Sequence, residues 1–308
     1  MATAMWLPVT LWFLFSALAS TYFNTVFLAH FAGDFVSHTL IRFLGSALLG
    51  GITNVLDTSN RVSPQKFKES LWPCLFPAIC LVSANLFNSI GLDRGGITLT
   101  NVVKSGIPLV TVIICLVVYG QRVSWKVLFT LIPIVTGVAL SAVADAQFSW
   151  PGFVAAWIST VAQACLNVSS KSVIASMKLS GRKFQFVLVC IGSIMLLVIS
   201  GGGVEAWKIC TSESTIALPL VLAVALTYHI EYVLNFIVTE AFPQVQFAVM
   251  DVMRRLAIIL CGAVMFNKEL TPLNGFGVLL ALCGAVAFSL VKRMEDLPVS
   301  PTASSKND

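Results

Sequence analysis

Charged side chains are scarce in this sequence. Asp, Glu, Lys and Arg make up 11% of its 308 residues, whereas hydrophobic residues make up 57%. Soluble domains carry about 25% charged residues, and a water-soluble fold of this length could not bury so much apolar surface. The composition therefore excludes an ordinary soluble protein and indicates a membrane protein.

Sequence motifs of catalysis and metal binding are also lacking. The sequence has three histidines and contains no HExxH or CxxC pattern. Its eight cysteines lie mostly inside apolar stretches, a distribution that favours neither disulfides nor a metal site. There is no nucleophile motif and no pair of aspartates in facing spans. We therefore predict no enzymatic activity, no metal and no cofactor.

Apolar stretches of about 20 residues recur along the whole chain, and this is the length of helix that crosses a bilayer core. We predict an all-α membrane protein with ten transmembrane helices. Their ranges are 5–29, 38–56, 71–90, 97–119, 126–143, 150–171, 184–200, 215–239, 245–266 and 272–291.

The basic residues predict the orientation. If both termini are cytosolic, eleven of the nineteen Lys and Arg residues fall in cytosolic loops and the tail, and three fall on the opposite side. This asymmetry is the positive-inside rule, and it accounts for the net charge of +5 without nucleic acid. The first span begins near Met5 without a basic leader or a transit peptide, so we expect it to be retained in an endomembrane.

An internal repeat is indicated by two segments that match at a shift of 147 residues. The shift aligns Ser124 with Thr271, two natural helix N-caps, and Gly137 with Gly284. It also aligns the aromatic residue at 119 with the one at 266. The alternative is that any two membrane hairpins share such features.

A repeat unit of five spans has an odd number of crossings, so the second copy must enter the membrane with the opposite orientation. Such inverted repeats place a substrate site near the midplane between the halves. We predict a first five-helix repeat at 1–145, a second at 146–293, and a polar, disordered cytosolic tail at 294–308.

Three basic residues are predicted deep inside spans. Lys104 lies about 10 Å from one end of the fourth span, and Arg254 and Arg255 lie about 15 Å inside the ninth, at 1.5 Å per residue. Each such charge costs about 2.5–3.5 kcal/mol to insert unless a partner, a cavity or a ligand offsets it. The repeat shift aligns Lys104 with Asp251, so the charges would face one cavity, and an anion site is indicated.

Internal pairing is the alternative for these charges. Asp251 and Arg255 are four residues apart and can form an ion pair on one helix, and Glu231 in the eighth span could neutralise a second cation. Two acids against three cations still leave a surplus positive charge. Arg42 and Lys171 lie near span ends and could instead extend to water.

Polar residues in the third and eighth spans are further candidates. Asn85 and Asn88, and Tyr228 and Tyr232, have the spacings of neighbours on one helix face. They could line the cavity or hydrogen-bond adjacent helices. The predicted substrate-binding residues are Lys104, Arg254, Arg255, Asn85, Asn88, Tyr228, Glu231, Tyr232 and Lys171.

Four short motifs together resemble those of the triose-phosphate and nucleotide-sugar translocators of the drug/metabolite transporter superfamily. They are NVVKSGIPL at 101–109, LNVSSK at 166–171, DVMRRLA at 251–257 and TPLN at 271–274. The resemblance implies ten helices in two inverted halves that exchange phosphorylated solutes by alternating access. It also implies that Lys104, Arg254 and Arg255 hold the phosphate.

The sequence departs from the plastid members of that family. Those members generally carry a His and often a Thr where this chain has Asn85 and Asn88. They carry an Arg where it has Leu166, and a Tyr near Glu231. The resemblance thus implies a retained phosphate site with altered recognition of the remaining substrate, which favours a nucleotide sugar over a triose phosphate.

The predicted function is an antiporter of the Golgi or another endomembrane that exchanges a nucleotide sugar or sugar phosphate for a nucleoside monophosphate or inorganic phosphate. Its predicted partners are this substrate and membrane lipid, with no nucleic acid; a homodimer is left open. Alternatives are a plastid-type triose-phosphate/phosphate exchanger, a metabolite exporter coupled to protons through Glu231 or Asp251, and a structural membrane protein without a transported solute.

Overall fold

A computed structural model describes residues 2–57, 61–117, 124–144, 148–242, 244–267 and 271–296, and this part of the chain is helical without a strand. The α-helices are α1 (Ala2–Leu14), α2 (Thr21–His30), α3 (Phe35–Leu56), α4 (Pro64–Lys104), α5 (Ile107–Val117), α6 (Trp125–Ala144), α7 (Trp150–Met177), α8 (Gly181–Ile199), α9 (Val204–Cys210), α10 (Ala217–Ala241), α11 (Gln244–Met265) and α12 (Pro272–Asp296). A π-helical segment, Phe15–Ser20, joins α1 and α2.

Seven helical stretches among the described residues are long and apolar enough to cross a membrane. They are Trp6–His30, Phe35–Leu56, Pro64–Lys104, Trp150–Met177, Gly181–Ile199, Ala217–Ala241 and Pro272–Val291. Large apolar side chains such as Trp72 and Val264, each 83% exposed, lie on the outer surface, where lipid replaces water. The chain is therefore a multi-pass, all-α membrane protein, and this part of the prediction is confirmed.

The remaining predicted spans fall on shorter or more polar helices. The fourth span is divided between the end of α4 and α5, the fifth lies on α6, and the ninth lies on α11, which carries Asp251, Arg254 and Arg255. The count of ten spans stays a prediction. Of the predicted tail, residues 294–296 belong to α12, and the rest lies outside the described residues.

Helix α4 contains the third predicted span and the start of the fourth. Its 41 residues would extend roughly 60 Å as one straight helix, twice the thickness of a bilayer core. Gly96 interrupts it with a φ of 73°, a backbone conformation that glycine adopts without steric cost. The chain turns again at Ser105 and Gly106 before α5, so Lys104 is the last residue of a helix that stops inside the predicted fourth span.

Helices α6 and α12 pack at van der Waals distance through glycines. A Cβ atom at Gly137 would overlap the backbone nitrogen of Ala281, and one at Gly284 would lie 2.8 Å from the backbone nitrogen of Ile134. The shift of 147 that aligns the two glycines also aligns Ile134 with Ala281. The packing is therefore reciprocal: the glycine of each helix lies against the equivalent position of the other helix.

The two predicted N-caps are confirmed. The Ser124 hydroxyl accepts the backbone N–H of Val127 at 3.5 Å, and the Thr271 hydroxyl accepts that of Asn274 at 3.2 Å. They start α6 and α12, the two helices that the repeat shift equates.

Candidate functional site

A polar cavity of about 90 Å³ lies between the π-helical segment and helices α2, α3, α4, α7, α10 and α11. Three of the lining residues are aliphatic, one is a tyrosine, and all the others are polar or charged. The lining residues are Ser16, Ser20, Thr21, Asn24, Thr25, Arg42, Asn85, Asn88, Leu92, Ile97, Asn101, Lys104, Gln163, Glu231, Tyr232, Arg254, Arg255 and Ile258. Such a surface is chemically suited to a hydrophilic solute.

The three predicted cations line this one cavity. Lys104 is 8% exposed and Arg255 is 3% exposed, while the Arg254 side chain is 12% exposed. None of the three points at lipid. Among the described residues no carboxylate pairs with Lys104, so its ammonium group is the natural attachment point for an anion.

One carboxylate holds the two neighbouring arginines. Asp251 Oδ1 accepts hydrogen bonds from Arg254 Nη2 at 2.7 Å and Nε at 3.2 Å. Its other oxygen, Oδ2, accepts from Arg255 Nη2 at 2.7 Å and Nε at 3.0 Å. For Asp251, the sequence offered an ion pair with Arg255 as the alternative to an anion site, and the structure adds Arg254 as a second partner of this carboxylate. Because Asp251 fixes both guanidinium groups, their remaining N–H donors are held in place beside the cavity.

Glu231 on α10 forms hydrogen bonds with a residue of α11 and with two residues of the first span. It accepts a hydrogen bond from Arg254 Nη1 at 3.1 Å, and it accepts the hydroxyl groups of Ser16 at 3.1 Å and Ser20 at 2.5 Å. Both serines lie in the π-helical segment, a type of helical irregularity that is frequent at functional sites. The Trp12 ring lies 4.8 Å from the Arg254 guanidinium carbon, which adds a cation–π contact.

Arg42 is a fourth cation in the cavity lining, although the sequence allowed it to extend to water. It lies on α3, is 3% exposed, and donates from Nη2 to Asn85 Oδ1 at 3.0 Å. His38 and Ser46 are four residues away on either side, and both are fully buried. This run of polar residues at a spacing of four was the signal that α3 turns a polar face inward.

The charge around the cavity is positive. Four cations face two acids, Glu231 and Asp251, among the described residues that line the cavity and its extension toward α11. Counting four minus two leaves a formal charge of +2. A buried, uncompensated positive charge in a low-dielectric setting attracts anions strongly.

The predicted polar residues fall into two groups. Asn85, Asn88 and Tyr232 line the cavity, and the Asn85 amide donates to the Tyr232 hydroxyl at 3.0 Å. Tyr228 is fully buried behind it, with its ring centroid 4.4 Å from the guanidinium carbon of Arg42. Lys171 lies apart from the cavity lining and donates from Nζ to the Phe242 carbonyl at 3.3 Å, which caps the end of α10.

Eleven lining residues were not among the predicted ones, and four of them are polar residues with side chains that could contact a sugar: Asn24, Asn101, Gln163 and Thr21. Asn101 and Lys104 are three residues apart, the spacing of one helix face. Asn24 is held by the fully buried His38, whose Nε2 lies 3.0 Å from Asn24 Oδ1. Amide and hydroxyl groups of this kind can donate to and accept from sugar hydroxyls.

The model of the Triose-phosphate Transporter family matches residues 4–289 of this chain. The matched region covers all the cavity residues named above. Members of the family are transporters and not enzymes, which confirms the prediction that the chain has no enzymatic activity.

Curated relatives have about one quarter of their aligned residues in common with this chain. Phosphoenolpyruvate/phosphate translocator 1 of Arabidopsis thaliana is 26% identical over 94% of this chain and 72% of its own length. UDP-galactose transporter 1 of the same plant is 25% identical over 73% and 69%. The chain spans 62% of the length of the plant's glucose-6-phosphate/phosphate translocator 1, to which it is 25% identical over 75% of its own residues.

A solved crystal structure of a protein superposes with a TM-score of 0.60 over 96% of this chain and 100% of that chain, at 16% identity. At that identity the likeness concerns the fold alone. The family match, by contrast, extends over nearly the whole sequence and includes the three deep cations. The chain belongs to the Triose-phosphate Transporter family, within the drug/metabolite transporter superfamily.

Proposed function

We propose that the protein is a secondary antiporter of an endomembrane, with the Golgi membrane as the favoured location. It exchanges a phosphate-bearing sugar derivative for inorganic phosphate or a nucleoside monophosphate. One observation carries the proposal. Lys104 is buried in a polar cavity beside Arg254 and Arg255 and has no carboxylate partner among the described residues. A phosphate group supplies the missing negative charge.

The three cations have different roles in this proposal. Arg254 and Arg255 are held by Asp251 and present fixed N–H donors that match the geometry of phosphate oxygens. Lys104 acts as a mobile point charge at the break between α4 and α5. Helices that stop at the substrate are common in transporters, because they bring polar groups to the middle of the membrane. Asn85, Asn88 and the other lining amides would bind the sugar.

The surplus charge favours exchange over one-way transport. An empty cavity with a formal charge of +2 must keep water around its cations, so closing it on both sides is costly. A bound phosphate group neutralises the cavity and lowers that cost. The protein should therefore change its orientation mainly when it is loaded.

Two inverted repeats would supply the two orientations. In support, residues that the shift of 147 equates also meet in space: Asn85 hydrogen-bonds Tyr232, and Gly137 and Gly284 make reciprocal contacts between α6 and α12. Contacts between equivalent positions are expected at a two-fold axis. We propose repeats at 1–145 and 146–293, with the substrate between them.

The substrate has two candidates. Altered residues at positions 85, 88 and 166 favour a nucleotide sugar, and a UDP-galactose transporter is among the relatives. A sugar phosphate is favoured by the cavity volume of about 90 Å³, which is well below the roughly 300–1,000 Å³ of sites for drug-sized ligands. A nucleotide sugar would require a wider opening than this conformation offers.

Exchange by the purified protein in proteoliposomes tests the proposal. Vesicles loaded with phosphate or uridine monophosphate would be supplied outside with labelled phosphate, glucose 6-phosphate, phosphoenolpyruvate or UDP-galactose. We expect uptake of at least one of these anions only when the vesicles are loaded. If no anion is taken up, and none raises the melting temperature of the detergent-solubilised protein, the proposed function is refuted.

A further inference from the structure

Arg42 is a buried cation whose guanidinium group keeps unpaired N–H donors. It is 3% exposed, it lines the cavity, and it has no carboxylate partner there. Its Nη2 donates to Asn85 Oδ1 at 3.0 Å, while its Nε and Nη1 are buried without an acceptor. Buried guanidinium donors are rarely left unpaired, because the desolvation cost is large.

The surroundings hold Arg42 in place without neutralising it. Its guanidinium lies against the Tyr228 ring at 4.4 Å, and Asn85 is itself fixed by hydrogen bonds to Tyr232 and to the Leu81 carbonyl. A cation–π contact attracts the guanidinium group without cancelling its charge, and an amide oxygen carries no net charge. The side chain is therefore held away from water, and no described residue supplies an anionic partner for it.

Arg42 and Lys104 differ in this respect from the arginine pair on α11. Arg254 and Arg255 have two acids between them, whereas Arg42 and Lys104 have none among the described residues. They lie on different helices, α3 and the end of α4, and line the same cavity. Arg42 contacts Asn85, which in turn contacts Tyr232. The shift of 147 residues equates Lys104 with Asp251, the carboxylate that pairs with Arg254 and Arg255.

We infer that Arg42 binds a second anionic group of the substrate, other than the phosphate that is held at Lys104, Arg254 and Arg255. The inference rests on the proposed function and narrows its substrate class to phosphate esters that carry a second acidic group. That group is a second phosphate, as in a nucleoside diphosphate sugar, or a carboxylate, as in a phosphorylated carboxylic acid. The unpaired Nε and Nη1 donors and the net charge of the cavity carry the assignment.

Competition with labelled phosphate in proteoliposomes tests the inference on the full chain. In the wild-type protein, phosphoenolpyruvate or UDP-galactose should compete with phosphate at a concentration at least about tenfold below that of glucose 6-phosphate, since hydrogen bonds to a charged group are worth about 1.5–3 kcal/mol. Arg42→Gln should remove this advantage and Arg42→Lys should restore part of it. Arg182→Gln changes an arginine side chain that is 57% exposed and should leave every competitor unchanged.

The outcomes separate the two proposals. Loss of the advantage for phosphoenolpyruvate alone identifies a carboxylate, and loss for UDP-galactose alone identifies a second phosphate. An advantage that persists in Arg42→Gln overturns the inference, and so does a wild-type protein on which all three compounds compete equally; neither result affects the proposed function. The wild-type comparison can still overturn the inference if both Arg42 variants fail to fold. A wild-type protein that takes up no anion refutes the proposed function instead.

Discussion

Lys104 offers the sharpest separation of a binding role from a structural role. Replacing it by Gln keeps a polar side chain of similar length and removes the charge. If Lys104 holds the phosphate, the affinity for phosphate should fall by about 10- to 100-fold, because a hydrogen bond to a charged group contributes about 1.5–3 kcal/mol. Half-saturation of phosphate exchange in proteoliposomes measures this change.

The stability of the Lys104→Gln variant without ligand should not fall with its phosphate affinity. Lys104 is buried without a carboxylate partner among the described residues, and a charge at membrane depth costs about 2.5–3.5 kcal/mol. Without ligand, Lys104→Gln should therefore melt at the same temperature as the wild type or higher. With phosphate added, the wild type should gain more than the variant, since only tightly bound ligand stabilises.

A matched control removes a lysine that is not in the cavity. Lys208 lies on α9 with a 65% exposed side chain and pairs with Glu205 at 2.7 Å. Exposed pairs contribute about 0–1 kcal/mol, so Lys208→Gln should leave both affinity and melting temperature nearly unchanged. The reasoning fails if Lys104→Gln folds with unaltered phosphate affinity, or if it loses stability in the absence of ligand.

Three further predictions concern the arginine pair and the helix packing. Arg255→Ala should abolish exchange in proteoliposomes while the protein remains monodisperse in detergent; unimpaired exchange would remove Arg255 from the site. Asp251→Asn should lower the melting temperature, because breaking a buried pair costs about 3–5 kcal/mol, and phosphate should restore more of the loss than it adds to the wild type; an unchanged melting temperature would contradict the shared pairing of Arg254 and Arg255. Gly137→Ala should cost about 1–3 kcal/mol or more, because its Cβ would overlap the Ala281 backbone, whereas Gly275→Ala, which has open space around it, should be tolerated; equal melting temperatures for the two variants would disprove the close contact between α6 and α12.

The amino-acid sequence was sufficient for the class of protein and singled out three cations that the structure brings together in one cavity. Runs of apolar residues identify membrane helices because the bilayer sets a fixed length. Lys104, Arg254 and Arg255 stood out because a charge within such a run is costly and needs a reason. The same residues carried the family resemblance. The shift of 147 also aligned the N-caps Ser124 and Thr271, which the structure confirms.

Only the tertiary structure decided which face of each helix turns inward. In lipid, an apolar side chain can face either neighbouring helices or the bilayer, so periodicity distinguishes the faces poorly. From the sequence, Arg42 could extend to water and Tyr228 could line the cavity. In the structure α3 packs against α10, Arg42 lines the cavity, and the Tyr228 ring lies behind Arg42. Lys171 likewise caps α10 through the Phe242 carbonyl, a contact between residues 71 positions apart. Such partners come from different helices, and local sequence does not specify how helices meet.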